Sequence, residues 1–131
     1  GKVAVRRLFK DTKGEELNYF RRKNFWPIMH LIVINSDLAK QEPSLPQYLM
    51  EMFEEAHEIS NSFHSDPNWS RLPWTRYLYE ESRELFGDPW INGFSFNRKN
   101  IEQFILYSFD QGLISKKMEP EALFVPSTLQ T

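Results

Sequence analysis

Cysteine does not occur anywhere in the 131 residues, and its absence removes disulfide frameworks, thiolate nucleophiles, iron–sulfur clusters and Cys-based zinc sites together. Charge of one sign is also missing: 16 Lys and Arg face 18 Asp and Glu, a net charge of −2. That balance gives no electrostatic case for nucleic acid or an anionic membrane as partner. The longest apolar run, Leu31-Ile32-Val33-Ile34, falls far short of the roughly 20 residues a membrane helix needs. No Gly-rich phosphate loop and no Gly-x-Ser-x-Gly elbow is present, so nucleotide and serine-hydrolase chemistry find no support. Internal repeats and low-complexity tracts are absent too, which disfavours a solenoid.

What is present is a chain with 40% hydrophobic and 15% aromatic residues, the makeup of a folded domain with a core. It opens on Gly1-Lys2-Val3 without Met, basic n-region or apolar h-region, and the expectation is that further sequence precedes it.

Val3 to Phe9 alternates weakly and predicts a short strand, and Thr12-x-x-Glu15 predicts the capping box of a first helix with Leu17 and Phe20 on its apolar stripe. Arg21-Arg22-Lys23 falls in its last turn, where cations complement the helix dipole. The aliphatic run Ile28 to Asn35 predicts a strand buried on both faces, which needs neighbours that this sequence barely offers.

Ser44-x-x-Gln47 then opens a long helix, with Leu49, Met52, Phe53, Ala56, Ile59 and Phe63 as one buried stripe. His64 to Pro73, with Asp66-Pro67-Asn68, predicts a loop. Trp74, Tyr77, Leu78, Leu85 and Phe86 mark a third helix ended by Gly87 and Pro89. A fourth begins with Asn97 as N-cap, carries Ile101, Phe104 and Ile105, and stops at Gly112.

Three blocks, in order, carry a family resemblance: VRRLFKDTKGEELNYFRRKNFWPIMHLIVI, ELFGDPWINGFSFNRKNIEQFILYSFDQGLISKKM and EALFVPSTL. Together they resemble the 4,5-dihydroxyphthalate decarboxylase family, with Trp26 standing where that family's pattern has Phe. The resemblance implies an α/β chain, the C-terminal portion of a two-lobed periplasmic-binding-protein-like fold, mostly helical with one or two strands. Residues 1–26 would end the second lobe. Residues 27–131 would form the crossing strand and the C-terminal helices of the first, with the ligand in the cleft between lobes.

The implied activity is cofactor-free, metal-free decarboxylation of a dihydroxylated aromatic dicarboxylate to protocatechuate and carbon dioxide. It needs a proton delivered to a ring carbon and a grip on a carboxylate. His30, at the entry to the crossing strand, is the expected proton donor or substrate anchor, although a lone His at a strand end is ordinarily a packed, hydrogen-bonded side chain. Arg6 and Arg7 are the expected carboxylate clamps, at most one of the two reaching the ligand, since neighbours on a strand face opposite sides. Trp90 and Asn92 are expected to line the cleft, against the plainer reading of a Trp that packs its own turn. Asn97 and Arg98 read as a helix cap and a surface residue, and Arg21-Arg22 as a solvated helix end. His57 and His64, with Glu54 and Glu58, match no strong metal signature and read as a solvated face.

The expected partner is a small aromatic anionic substrate, with no nucleic acid and no membrane span, and a homo-oligomer is compatible with the sequence. An enzyme of this kind is expected in the cytoplasm. Its competitor, a periplasmic solute-binding protein of the same fold serving a transporter, uses the same cleft. A third reading takes the aromatic stripes as the docking face of a small helical interaction module.

Overall fold

The structure, a computed structural model, describes residues 5–66 and 68–131. Among the described residues five α-helices follow in order: α1 Thr12–Lys23, α2 Ser36–Gln41, α3 Leu45–Ser65, α4 Thr75–Phe86 and α5 Phe94–Asp110. Two short 3-10 helices, Pro120–Leu123 and Pro126–Thr128, complete the chain. No helix among the described residues is long and apolar enough to cross a membrane.

The expectation of an α/β chain is corrected: the described residues are helical and contain no strand. Residues 28–35, read as a buried crossing strand, have no regular secondary structure. The physical reason is the shortage of neighbours that the sequence already showed, since a strand satisfies its N–H and C=O groups only against another strand. Met29, Leu31, Ile32 and Val33 are exposed, Val33 to 91%. Of the opening segment, Val3 and Ala4 lie outside the described residues, and Val5 to Phe9 form no strand either.

Side-chain caps open α1 and α2, and each departs from the sequence expectation. Asp11, one residue before the expected cap, accepts the Gly14 N–H through Oδ1 at 2.9 Å and opens α1. Asn35, placed by its aliphatic neighbours in a strand, instead caps α2, its Oδ1 accepting from the N–H groups of Asp37 and Leu38 at 2.9 and 3.2 Å. Ser44 takes the cap position of α3 without a side-chain bond. Gly87 and Gly112 sit where expected, with φ of +69° and +73°, just past the ends of α4 and α5.

The stripe expected to be buried on α3 is open instead: Met52, Phe53, Ile59 and Phe63 are exposed, and Pro46 is that helix's buried residue. Burial centres on α5, whose Phe94, Ile101 and Ile105 form the core, with Ile28, Ile114, Phe124 and Leu129 packed on them. Buried Asn100 on the same helix donates to the Trp26 carbonyl at 2.6 Å, which fixes residues 26–28 on α5. An aromatic cluster joins α1 to α4, with Phe20 and Trp26 both 4.8 Å from the Phe86 ring.

Asn97 does not cap α5. The helix starts three residues earlier, and Asn97 donates back to the carbonyls of Ile91 and Gly93 at 2.8 and 3.0 Å. The first N–H groups of α5 are taken by Thr131, whose hydroxyl accepts from Phe94 at 3.1 Å and whose carbonyl accepts from Ser95 at 2.7 Å. Gly93 allows this approach: its φ is +108°, and a Cβ there would sit 2.7 Å from the Thr131 carbonyl carbon. Gly93→Ala therefore adds a strained φ to a backbone clash and should destabilise the fold by about 2 kcal/mol or more. Urea unfolding of the variant beside the parent measures this directly.

Candidate functional site

Asp88 is the polar centre of the molecule. It follows the α4 cap Gly87 and precedes Pro89, so the chain turns sharply and carries its carboxylate back toward α3. Oδ2 accepts from His57 Nε2 at 2.9 Å, Asn61 Nδ2 at 3.2 Å and Arg83 Nη1 at 2.9 Å. Oδ1 accepts the Trp90 N–H at 3.0 Å. His57 and Asn61 are one helical turn apart on α3 and so reach the same acceptor.

The side chains of Asp88 and His57 retain 16% and 17% of their exposure. Burial alone pushes the Asp88 carboxyl up, but the bonds from His57, the Trp90 N–H and Asn61 outweigh it and hold the group below the usual carboxylate range.

Beside this carboxylate opens a cleft of about 280 Å³ between α1 and α4. Its aromatic walls are Trp26, Phe86 and Trp90, and its rim carries Lys13, Glu81 and Arg83. Lys13 Nζ donates to both oxygens of Glu81 at 2.6 Å, and Arg83 is held by Asp88. Each cation of the rim thus already has a carboxylate partner. The cleft can stack a flat ring, but an anion entering it must compete with an existing ion pair.

Of the residues singled out in the sequence, the structure brings Trp90 to this cleft, half-exposed at 52%. Asn92 lies just beyond the turn, donating to Glu54 Oε2 on α3 at 3.2 Å, and does not line the cleft. His30 is exposed in the irregular segment between α1 and α2, and Arg6 and Arg7 are exposed ahead of α1. None of these three lines the cleft or joins an ion pair among the described residues.

His57 is not on the solvated face that the sequence suggested, because its partner is Asp88, 31 positions away. The local signal for this arrangement was an Asp at a Gly-x-Pro turn, which must aim its carboxylate at some donor, together with His57 and Asn61 at helical spacing. His64 stacks on Tyr79 at 5.8 Å between ring centres.

No family model matches the chain. Along its whole length it is 30% identical, over 134 aligned positions, to a 4,5-dihydroxyphthalate decarboxylase from Comamonas testosteroni, and it spans 41% of that protein. The two proteins are distantly related.

Asp88→Asn replaces an acceptor with a group that turns its own amide hydrogens toward donors, and should cost about 2 kcal/mol near neutral pH. The folded-state value of Asp88 is depressed, so its stabilisation is present above the unfolded carboxylate value near 4 and is lost as the pH falls through the lower folded value. Urea midpoints of parent and variant should therefore converge as the pH drops below about 4.

Proposed function

We propose that this chain is part of a carboxy-lyase that removes one carboxylate from a dihydroxylated aromatic dicarboxylate, converting 4,5-dihydroxyphthalate to protocatechuate and carbon dioxide. The observation that carries the reading is the 30% identity running the full length of the chain to a protein bearing that activity in its name. The relative is more than twice as long, so the activity is proposed for the full-length polypeptide.

In this reading His30 is the general acid. Its imidazolium gives a proton to the ring carbon that bears the departing carboxylate, electron density from the ring hydroxyls supports that protonation, and the pair of the breaking C–C bond returns to the ring as carbon dioxide leaves. Arg6 or Arg7 holds a carboxylate through a two-pronged guanidinium contact. Trp90 offers the substrate ring a flat apolar surface, and Asn92 offers an amide donor. Exposure of His30, Arg6 and Arg7, without ion-pair partners among the described residues, leaves all three available for these roles.

The test uses the full-length polypeptide with 4,5-dihydroxyphthalate and follows carbon dioxide release. Turnover by the parent and a loss of about a hundredfold or more in kcat for His30→Ala are expected. A parent that releases no carbon dioxide refutes the reaction. Full activity in the variant refutes the role of His30 and keeps the reaction.

A further inference from the structure

A second cleft, sharing no lining residue with the first, lies between the C-terminal end of α1 and the middle of α5. It is a shallow groove of about 310 Å³, open to solvent. Arg22 and Lys23 enter it from α1 and Lys99 from α5, with Phe25 and Leu106 as apolar wall.

The state of these cations separates this cleft from the first. Arg22 and Lys99 make no side-chain hydrogen bond and no ion pair among the described residues, and Lys23 donates to a neutral acceptor, Gln103 Oε1, at 2.9 Å. The one carboxylate of the lining, Glu102, is engaged by Arg98 at 2.8 Å.

Three cations and one carboxylate leave an excess of about two positive charges. The carbonyl end of α1 offsets only about half a charge of it. Like charges gathered in one cleft repel one another, and a bound anion would remove that repulsion.

A neighbouring group registers the same field. Tyr107 on α5 has Lys23 Nζ 5.8 Å from its ring centre. Its hydroxyl is drawn below the usual phenol range, first by the neighbouring Tyr19 hydroxyl and then by the charges of Lys23 and Arg22. Tyr19 is pushed up to about 12, by burial first and by Tyr107 next.

We propose that this second cleft binds a small dianion with a flat apolar body, of which a benzene dicarboxylate is the simplest example. Arg22 takes one carboxylate on its planar fork, Lys23 and Lys99 take the other as point charges, and the ring lies on Phe25 and Leu106. The site is separate from the proposed active site, and because phthalate shares the skeleton of the proposed substrate, the Tyr107 signal is the readout that reports on this cleft alone.

The experiment is calorimetric titration of the full-length polypeptide with phthalate, and separately with inorganic phosphate, at low ionic strength. Phthalate should bind more tightly than phosphate, and the double variant R22Q/K99Q should weaken phthalate binding about tenfold or more. Lys116→Gln, an exposed cation outside the cleft, should leave it unchanged. Bound phthalate should also move the alkaline tyrosinate absorbance change of Tyr107 to higher pH, and Tyr107→Phe should abolish that component. The site is refuted if phthalate leaves the Tyr107 component unmoved in the parent, or if the double variant keeps its circular dichroism spectrum and still shows that shift. Equal affinity for phosphate and phthalate overturns the assignment to a dianion with an apolar body.

Discussion

One carboxylate, beside the first cleft, fixes the relation of α4 to α3. An ionised Asp only accepts, and Asp88 gathers three donors from α3 and α4 on Oδ2 and one from its own turn on Oδ1. The short side chain matters: it keeps the carboxylate close to a backbone that Gly87 and Pro89 already bend. Because the Trp90 N–H is one of the four donors, the bond that seats the turn also sets the indole at the cleft. Because α4 is held from its C-terminal end, Phe86 is presented to Phe20 and Trp26. Polar satisfaction and aromatic packing thus constrain the same few residues.

The other half of the molecule is organised by backbone groups that need partners. The first turn of α5 is satisfied by Thr131, and the Trp26 carbonyl by Asn100. Both bonds bring distant parts of the chain onto the helix that carries the core. That core is small, and the chain exposes 10859 Å² where a compact monomer of its mass exposes about 7300 Å². The excess includes the apolar stripe of α3 and the run from Met29 to Val33. Contiguous apolar faces of this kind are where proteins meet other polypeptide, membranes or ligands.

This surface also explains what the sequence revealed and what it hid. Helix ends marked by glycine at positive φ were legible, since Gly87 and Gly112 stop α4 and α5 for a local reason. Leu49 to Phe63 correctly announced a long helix, because spacing of three and four residues records the helical period. It did not announce burial, because burial requires a second surface that local spacing does not encode. The run Ile28 to Asn35 was misread for a related reason: β-branched composition expresses suitability for a sheet, and no sheet forms without a pairing edge. Trp90 was legible as an aromatic beside a turn. The His57–Asp88 bond was not, since it joins positions 31 apart on different elements, and neither position alone names the other.

The exposed run and the proposed chemistry meet in one place. His30 lies between Met29 and Leu31, so whatever covers those side chains also surrounds the imidazole. A general acid delivering a proton to a ring carbon benefits from such cover, because excluding water strengthens the electrostatic interactions within the site and suppresses proton leakage. In the chain as it stands His30 faces solvent, and the cations of the first cleft are neutralised by Glu81 and Asp88. An anionic aromatic substrate would therefore gain little by entering that cleft alone. Within the decarboxylation reading, the proposed roles require His30 and Arg6 or Arg7 to be brought to the ring that lies on Trp90, with Met29 to Val33 buried beside them.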